Sequence, residues 1–198
     1  APNGEFTVNT GRGRTDILVE RGTEYKPHRV VLEAPASGIV DTEIRIERWV
    51  HPQQNHWYPG NTHIHYDEKE TQPDRRLGID CSVEGYNVTC VSVLDRRQLP
   101  YASNKYPIGV MNEFKTAHHV LDIGEENRHY GDNSPWGFGY GHVMFMNIRN
   151  LIQPVSRGHT LTAQFDPDYP PLCFCCDEAR DQGGIVIWCH NGRGMEAP

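Results

Sequence analysis

The chain has 198 residues, 37% of them hydrophobic and 23% charged, with a formal net charge of −7. That length holds one substantial core or two small ones. The acidic balance excludes a nucleic-acid-binding surface, which needs clustered Lys and Arg. No apolar run approaches the about 18 residues of a membrane-spanning helix, so neither nucleic acid nor membrane is an expected partner. Ala1–Gly4 has neither the charged nor the apolar region of a signal peptide, and there is no initiator Met. A soluble protein is expected, with its compartment (cytoplasmic, periplasmic or secreted) and its oligomeric state left open.

Residues 1–55 read as a β-rich segment. Asp16–Glu20 and His28–Ala34 are short β-branched runs, and Ile39–Val50 alternates, with Ile44, Ile46 and Trp49-Val50 separated by Glu43, Arg45 and Glu47. Gly22, Pro27, Pro35 and Gly38 punctuate these runs, the pattern of a small antiparallel unit. Residues 56–198 read as a second, α/β region, opened by the turn signal Tyr58-Pro59-Gly60-Asn61. Asn87–Leu94 is a nearly continuous apolar run, and Val120–Ile123, His142–Ile148 and Gly184–Cys189 are similar. Such runs suggest strands buried on both faces, as in a parallel α/β sheet or barrel. Asp67–Glu84 and Asp177–Gln182 are the expected helical connections, and Val110–Val120 is a weaker candidate. Residues 127–141 form a Gly-rich aromatic loop of a length that is usually functional or mobile.

The six cysteines do not require a disulfide framework in a chain this large. Cys90 and Cys189 read as small buried apolar residues within strand patterns. Cys173, Cys175 and Cys176 read as reduced thiols near a helix start, with metal storage or redox chemistry as the sharper alternative. Asn87-Val88-Thr89 matches a glycosylation acceptor but falls in an expected buried strand, and is discounted.

Thr62-His63-Ile64-His65 carries the most chemistry. Two imidazoles two residues apart on an extended segment project to the same side, and neutral imidazole is the commonest side-chain ligand of transition metals. Further ligand-type residues sit at the ends of later strands: Glu125-Glu126, His142 and His190. Ligands in parallel α/β folds bind at the carboxyl ends of strands, so these groups are expected to converge into a mixed N/O set suited to zinc, manganese or iron. Taken singly, His28, His51, His56, His118, His119, His129 and His159 read as ordinary hydrogen-bonded residues.

Gly60-Asn61-Thr62-His63-Ile64-His65 resembles the opening motif of the PHP superfamily (polymerase and histidinol phosphatase). Ile123-Gly124-Glu125-Glu126 followed by Gly141-His142-Val143 resembles its carbaryl hydrolase-like branch, as does Trp57-Tyr58-Pro59-Gly60 ahead of the histidine pair. Ile185–His190 is similar to that family's later strand ending in a histidine ligand. The resemblance covers roughly 45–198. It implies a distorted (βα)7 barrel, partial or complete, behind the N-terminal antiparallel β segment. It also implies ligation of one to three divalent transition-metal ions by His63, His65, Glu126, His142 and His190. Glu126 is preferred because the family glutamate follows Gly-x; Glu125 is the substitute. Asn61 replaces the family's opening Asp, and Val93-Leu94-Asp95-Arg96-Arg97 stands where a Thr-Asp-His motif is common.

The implied activity is hydrolysis of a small-molecule ester, amide or phosphoester by metal-activated water. His129 and Asp132 are candidates, by chemistry alone, to supply the leaving-group proton. Arg128 would neutralise an anionic substrate or pair with Glu125, and Trp136, with Phe138 and Tyr140, would wall an apolar substrate pocket. The alternative is a non-catalytic binding module with a structural metal site.

Overall fold

A computed structural model describes residues 4–67, 69–94, 101–130, 138–153, 155 and 172–189. The first sheet is a two-stranded antiparallel pair, β1 (Gly13–Val19) and β2 (His28–Ala34), in register from Gly13↔Ala34 to Val19↔His28. Asp16 and Arg29 lie diagonally on one face and form a two-pronged ion pair, with both N···O distances at 2.6 Å. The alternating segment Ile39–Val50 does not become a third full strand. It contributes one bridge, Tyr25↔Arg48, anchored by the buried Glu24 carboxylate, which takes hydrogen bonds from Arg48 and, at 2.8 Å, from Gln53 Nε2. Ile39 stays 82% exposed. Alternation marks a strand only where one face has something to cover it.

The second sheet contains β3 (Gly60–Ile64), β4 (Val88–Val93), β5 (Gly109–Val110), β6 (Val120–Tyr130), β7 (Phe138–Met146) and β8 (Ile185–Trp188). The order is β3-β4-β6-β7-β8, with β5 sharing an edge of β6. β3, β4 and β6 are parallel, and β7 is antiparallel to both β6 and β8. The described residues hold only two α-helices, α1 (Pro73–Glu84) and α2 (Leu172–Asp181).

This architecture overturns the expected (βα)7 barrel. The protein is a mostly β, mixed-sheet structure, because β6 returns directly as β7. Only 131–137 separate them, too few for the crossover of a dozen or more residues that a parallel connection needs. Residues 127–130 and 138–141 of the expected 127–141 loop belong to β6 and β7. Val110–Val120 holds the end of β5 and a 3-10 turn at Asn112–Phe114 instead of a helix. α1 starts later than Asp67 because Pro73, which has no N–H to donate, takes the first helical turn. It stops at Gly85, whose φ of 78° closes the C-terminus.

Period-two alternation gives the sheet two unlike faces. One carries the helices. Leu77 and Cys81 of α1 pack on Val91, Val93, Leu121 and Ile123, while Leu172, Cys175 and Ala179 of α2 pack on Val143 and Phe145. The other face carries Ser92, Gly124, Glu126, Arg128 and His142. Gly124 is demanded by close packing: a Cβ there would run into the carbonyl oxygen of Phe145 and lie 2.8 Å from Cys90 Sγ.

Candidate metal centre

Four of the five expected ligands meet on that second face. His63 in β3 and His65 just past its end reach across β4 to Glu126 in β6, and His142 comes from β7, directly opposite Arg128 in the ladder. His63 Nε2 lies 3.2 Å from Glu126 Oε2, and His65 Nε2 touches the same oxygen. His142 Nε2 is 3.8 Å from Glu126 Oε1. The rings of His63 and His65, and of His63 and His142, are each 5.3 Å apart at their centroids. Glu126 is fully buried, whereas the His63 side chain retains 27% exposure, so the cluster has a closed floor and an open side.

The strand period decides between the two glutamates. Glu126 faces the imidazoles. Glu125 points to the helix face, where it accepts hydrogen bonds from the Ile152 backbone N–H at 2.7 Å and Asn127 Nδ2 at 2.9 Å. Arg128 therefore pairs with Glu126, on its own face, and not with Glu125.

Electrostatics keeps the carboxylate ionised. Burial pushes the Glu126 carboxyl up, but hydrogen bonds from His63 and His65 and the Arg128 charge outweigh it and hold the group well below the usual carboxylate range. The His63 imidazole is raised to about 9, first by a hydrogen bond to Cys189 and then by one to Glu126, against burial. His65 Nδ1 lies 3.2 Å from the Ser92 carbonyl oxygen. A proton on Nδ1 would donate to that oxygen and orient the ring, and an ion would take the place of the proton that Nε2 directs at Glu126, the usual arrangement behind a metal-bound histidine.

The donor set could hold a metal ion. Two overlapping groups, His63–His65–Glu126 and His63–His142–Cys189, each have their potential ligand atoms within 4.8 Å of one another. Metal bonds of about 2.0–2.3 Å place tetrahedral ligands about 3.3–3.8 Å apart, so small side-chain shifts would close either group on an ion. Glu126 Oε1 and Arg128 Nε are both buried and touch as an ion pair, yet neither completes an aligned hydrogen bond.

Cys189 is the ligand-type residue that sequence reasoning missed. It is half-buried and faces the imidazoles, not a core, which corrects its reading as a small apolar residue. The available signal was its position at the end of a strand, in the same phase as Ile187. Of the other expected site residues, His190, Asp132 and Trp136 lie outside the described residues, as does Asp95, and the side chain of His129 is likewise not described. A cavity of about 900 Å³ lies along α1 and borders His65, lined by Tyr66, Arg76 and Asp80 among others. Its Arg76 is engaged by Asp80 and Glu70. The cluster's donors converge on Glu126 and not on this cavity, so the donor geometry, not the void, locates the centre.

Fold and site together define a mixed-sheet protein with a histidine–carboxylate–thiol cluster able to hold a metal ion. No family model, curated protein or solved structure matches the chain.

Proposed function

We propose that this protein is a metal-dependent hydrolase acting on a small-molecule ester, amide or phosphoester. The observation that carries the reading is the convergence of His63, His65 and His142 on the buried Glu126 carboxylate, near the carboxyl ends of β3 and β4. Zinc, manganese or iron suits such a set, with one to three ions. The short motifs resembling the PHP superfamily support the chemistry but not that superfamily's barrel.

A divalent transition metal bound there would lower the pKa of a water and polarise the oxygen under attack. The chain's own groups do the rest. Ser92 orients His65, and Glu126 is held ionised by its neighbours. Arg128 offsets the carboxylate charge and is the proposed counter-charge for an anionic substrate group. Solvent reaches the cluster on the His63 side, which gives water and substrate a route to a bound ion.

Elemental analysis of freshly purified protein, followed by metal titration and assay on a panel of nitrophenyl esters, anilides and phosphoesters, tests this. Bound metal with metal-dependent turnover is expected. Absence of metal uptake would remove the reading altogether. Uptake that raises the melting point without turnover on any substrate would leave a metal-binding module and remove the hydrolase.

A further inference from the structure

We infer that Cys189 is a thiolate ligand of this centre and that it makes the site selective for thiophilic, zinc-class ions over manganese and magnesium. The inference rests on the metal-site reading above and deepens it. Backbone register carries it first. Val143 pairs with Trp188, and the Cys189 backbone N–H donates to the His142 carbonyl at 3.5 Å. Cys189 therefore stands directly opposite His142, as Arg128 does on the other side of β7. Directly opposed residues of an antiparallel pair project to the same face with Cβ atoms about 4.5–5.5 Å apart, so β6, β7 and β8 deliver a row of Arg128, His142 and Cys189 onto the site face.

Side-chain geometry carries it second. Cys189 Sγ lies within 4.8 Å of a ring nitrogen of both His63 and His142. Its Sγ also lies 4.0 Å from the Ile187 carbonyl oxygen, a weak interaction for a thiol. The remaining cysteines are placed differently. Cys81, Cys90 and Cys175 are buried, Cys173 is exposed and Cys176 is half-buried. Among the described residues, Cys189 alone joins histidines in a metal-holding group.

Chemistry sets the consequence. A thiolate is a soft ligand that favours zinc and its spectroscopic surrogates cobalt and cadmium, whereas oxygen-rich sites suit manganese and magnesium. The thiol proton leaves to solvent as the metal–sulfur bond forms. A histidine–carboxylate centre already prefers zinc to manganese, and the thiolate widens that preference.

Cobalt(II) titration of the full chain tests the assignment, with Cys189→Ser as the variant. The native protein is expected to develop visible ligand-field bands together with an intense near-ultraviolet sulfur-to-cobalt band. Cys189→Ser should keep the former and lose the latter. Its zinc affinity should fall by more than the roughly 10–100-fold that loss of an outer-sphere partner costs, while its manganese affinity changes little. Ligand-field bands without the sulfur band in native protein, or a sulfur band that survives in Cys189→Ser, would overturn the thiolate ligand and leave the metal site standing. No cobalt uptake at all would overturn both. A measurement on unaltered protein guards against a misfolded variant. Zinc should slow iodoacetamide labelling of Cys189, followed by peptide mass spectrometry, while the exposed Cys173 labels unchanged. Equal labelling of Cys189 with and without bound zinc would also overturn it.

Discussion

The β1–β2 pair and the sheet from β3 to β8 draw on similar β-branched residues but differ in what lies against them. The hairpin has a continuous seven-pair register, yet Leu18 and Val31 remain 58% and 46% exposed. A two-stranded sheet of this kind is marginal without further packing. The larger sheet has both helices on one face, with Leu121, Ile123, Val143 and Phe145 fully buried. On its other face three imidazoles gather around the Glu126 carboxylate. Hydrophobic burial on one side supports a costly polar cluster on the other, and among the described residues no helix layer backs the hairpin in this way.

The largest expected effect is on the cluster itself. A His63→Ala/His65→Ala double variant should lose metal to background by elemental analysis, while Leu18→Ala in the hairpin keeps the native metal content. Equal metal content in the double variant would break the link between the site face and ion binding.

Next comes the contrast in stability. Leu77→Ala, at a site only 1% exposed, should cost about 2–5 kcal/mol in urea denaturation. Leu18→Ala should change stability by no more than about 0.5 kcal/mol. Comparable losses at the two positions would mean that the hairpin face is covered in solution.

Gly124→Ala sharpens the comparison within the larger sheet. The added methyl should cost about 1–3 kcal/mol by overpacking between β6 and β7, and it should weaken metal binding as well, because Glu126 is two residues along the same face. A stability loss with unchanged metal affinity would show that the site tolerates movement of β6.

The smallest effect is the pH dependence. In the metal-free chain, His63 holds its proton more tightly when folded. Its contribution to stability is therefore complete below the ordinary histidine value of 6.5 and is lost as the pH rises through about 9. A metal ion competes for the same nitrogen, so uptake should tighten across that window. Denaturation with chelator and with zinc should give stabilities that separate as the pH rises, and a constant separation would remove His63 from the ligand set.

Much of the site was legible along the chain. His63-Ile64-His65 has the spacing that puts two side chains on one face of any strand, and Gly124, Glu126 and His142 follow in sensible places. The choice of Glu126 over Glu125 rested on motif position, and the structure supplies its physical reason, the alternation of β6. The side Cys189 faces is not legible along the chain, because an apolar strand ending in cysteine looks the same whether that residue faces a core or a cluster. Ile39–Val50 alternates without becoming a strand because alternation alone carries no information about a partner strand.

Local chemistry is what the amino-acid order determined by itself: which segments extend, where Pro73 and Gly85 bound α1, and which side chains are able to ligate metal. Tertiary pairing decided the rest. The direct return of β6 into β7 turned an expected parallel barrel into a mixed sheet, and the β7–β8 register brought Cys189 beside His142. Strand direction and register are set by connection length and by which faces find cover, and those are properties of contacts between distant segments, not of any segment alone.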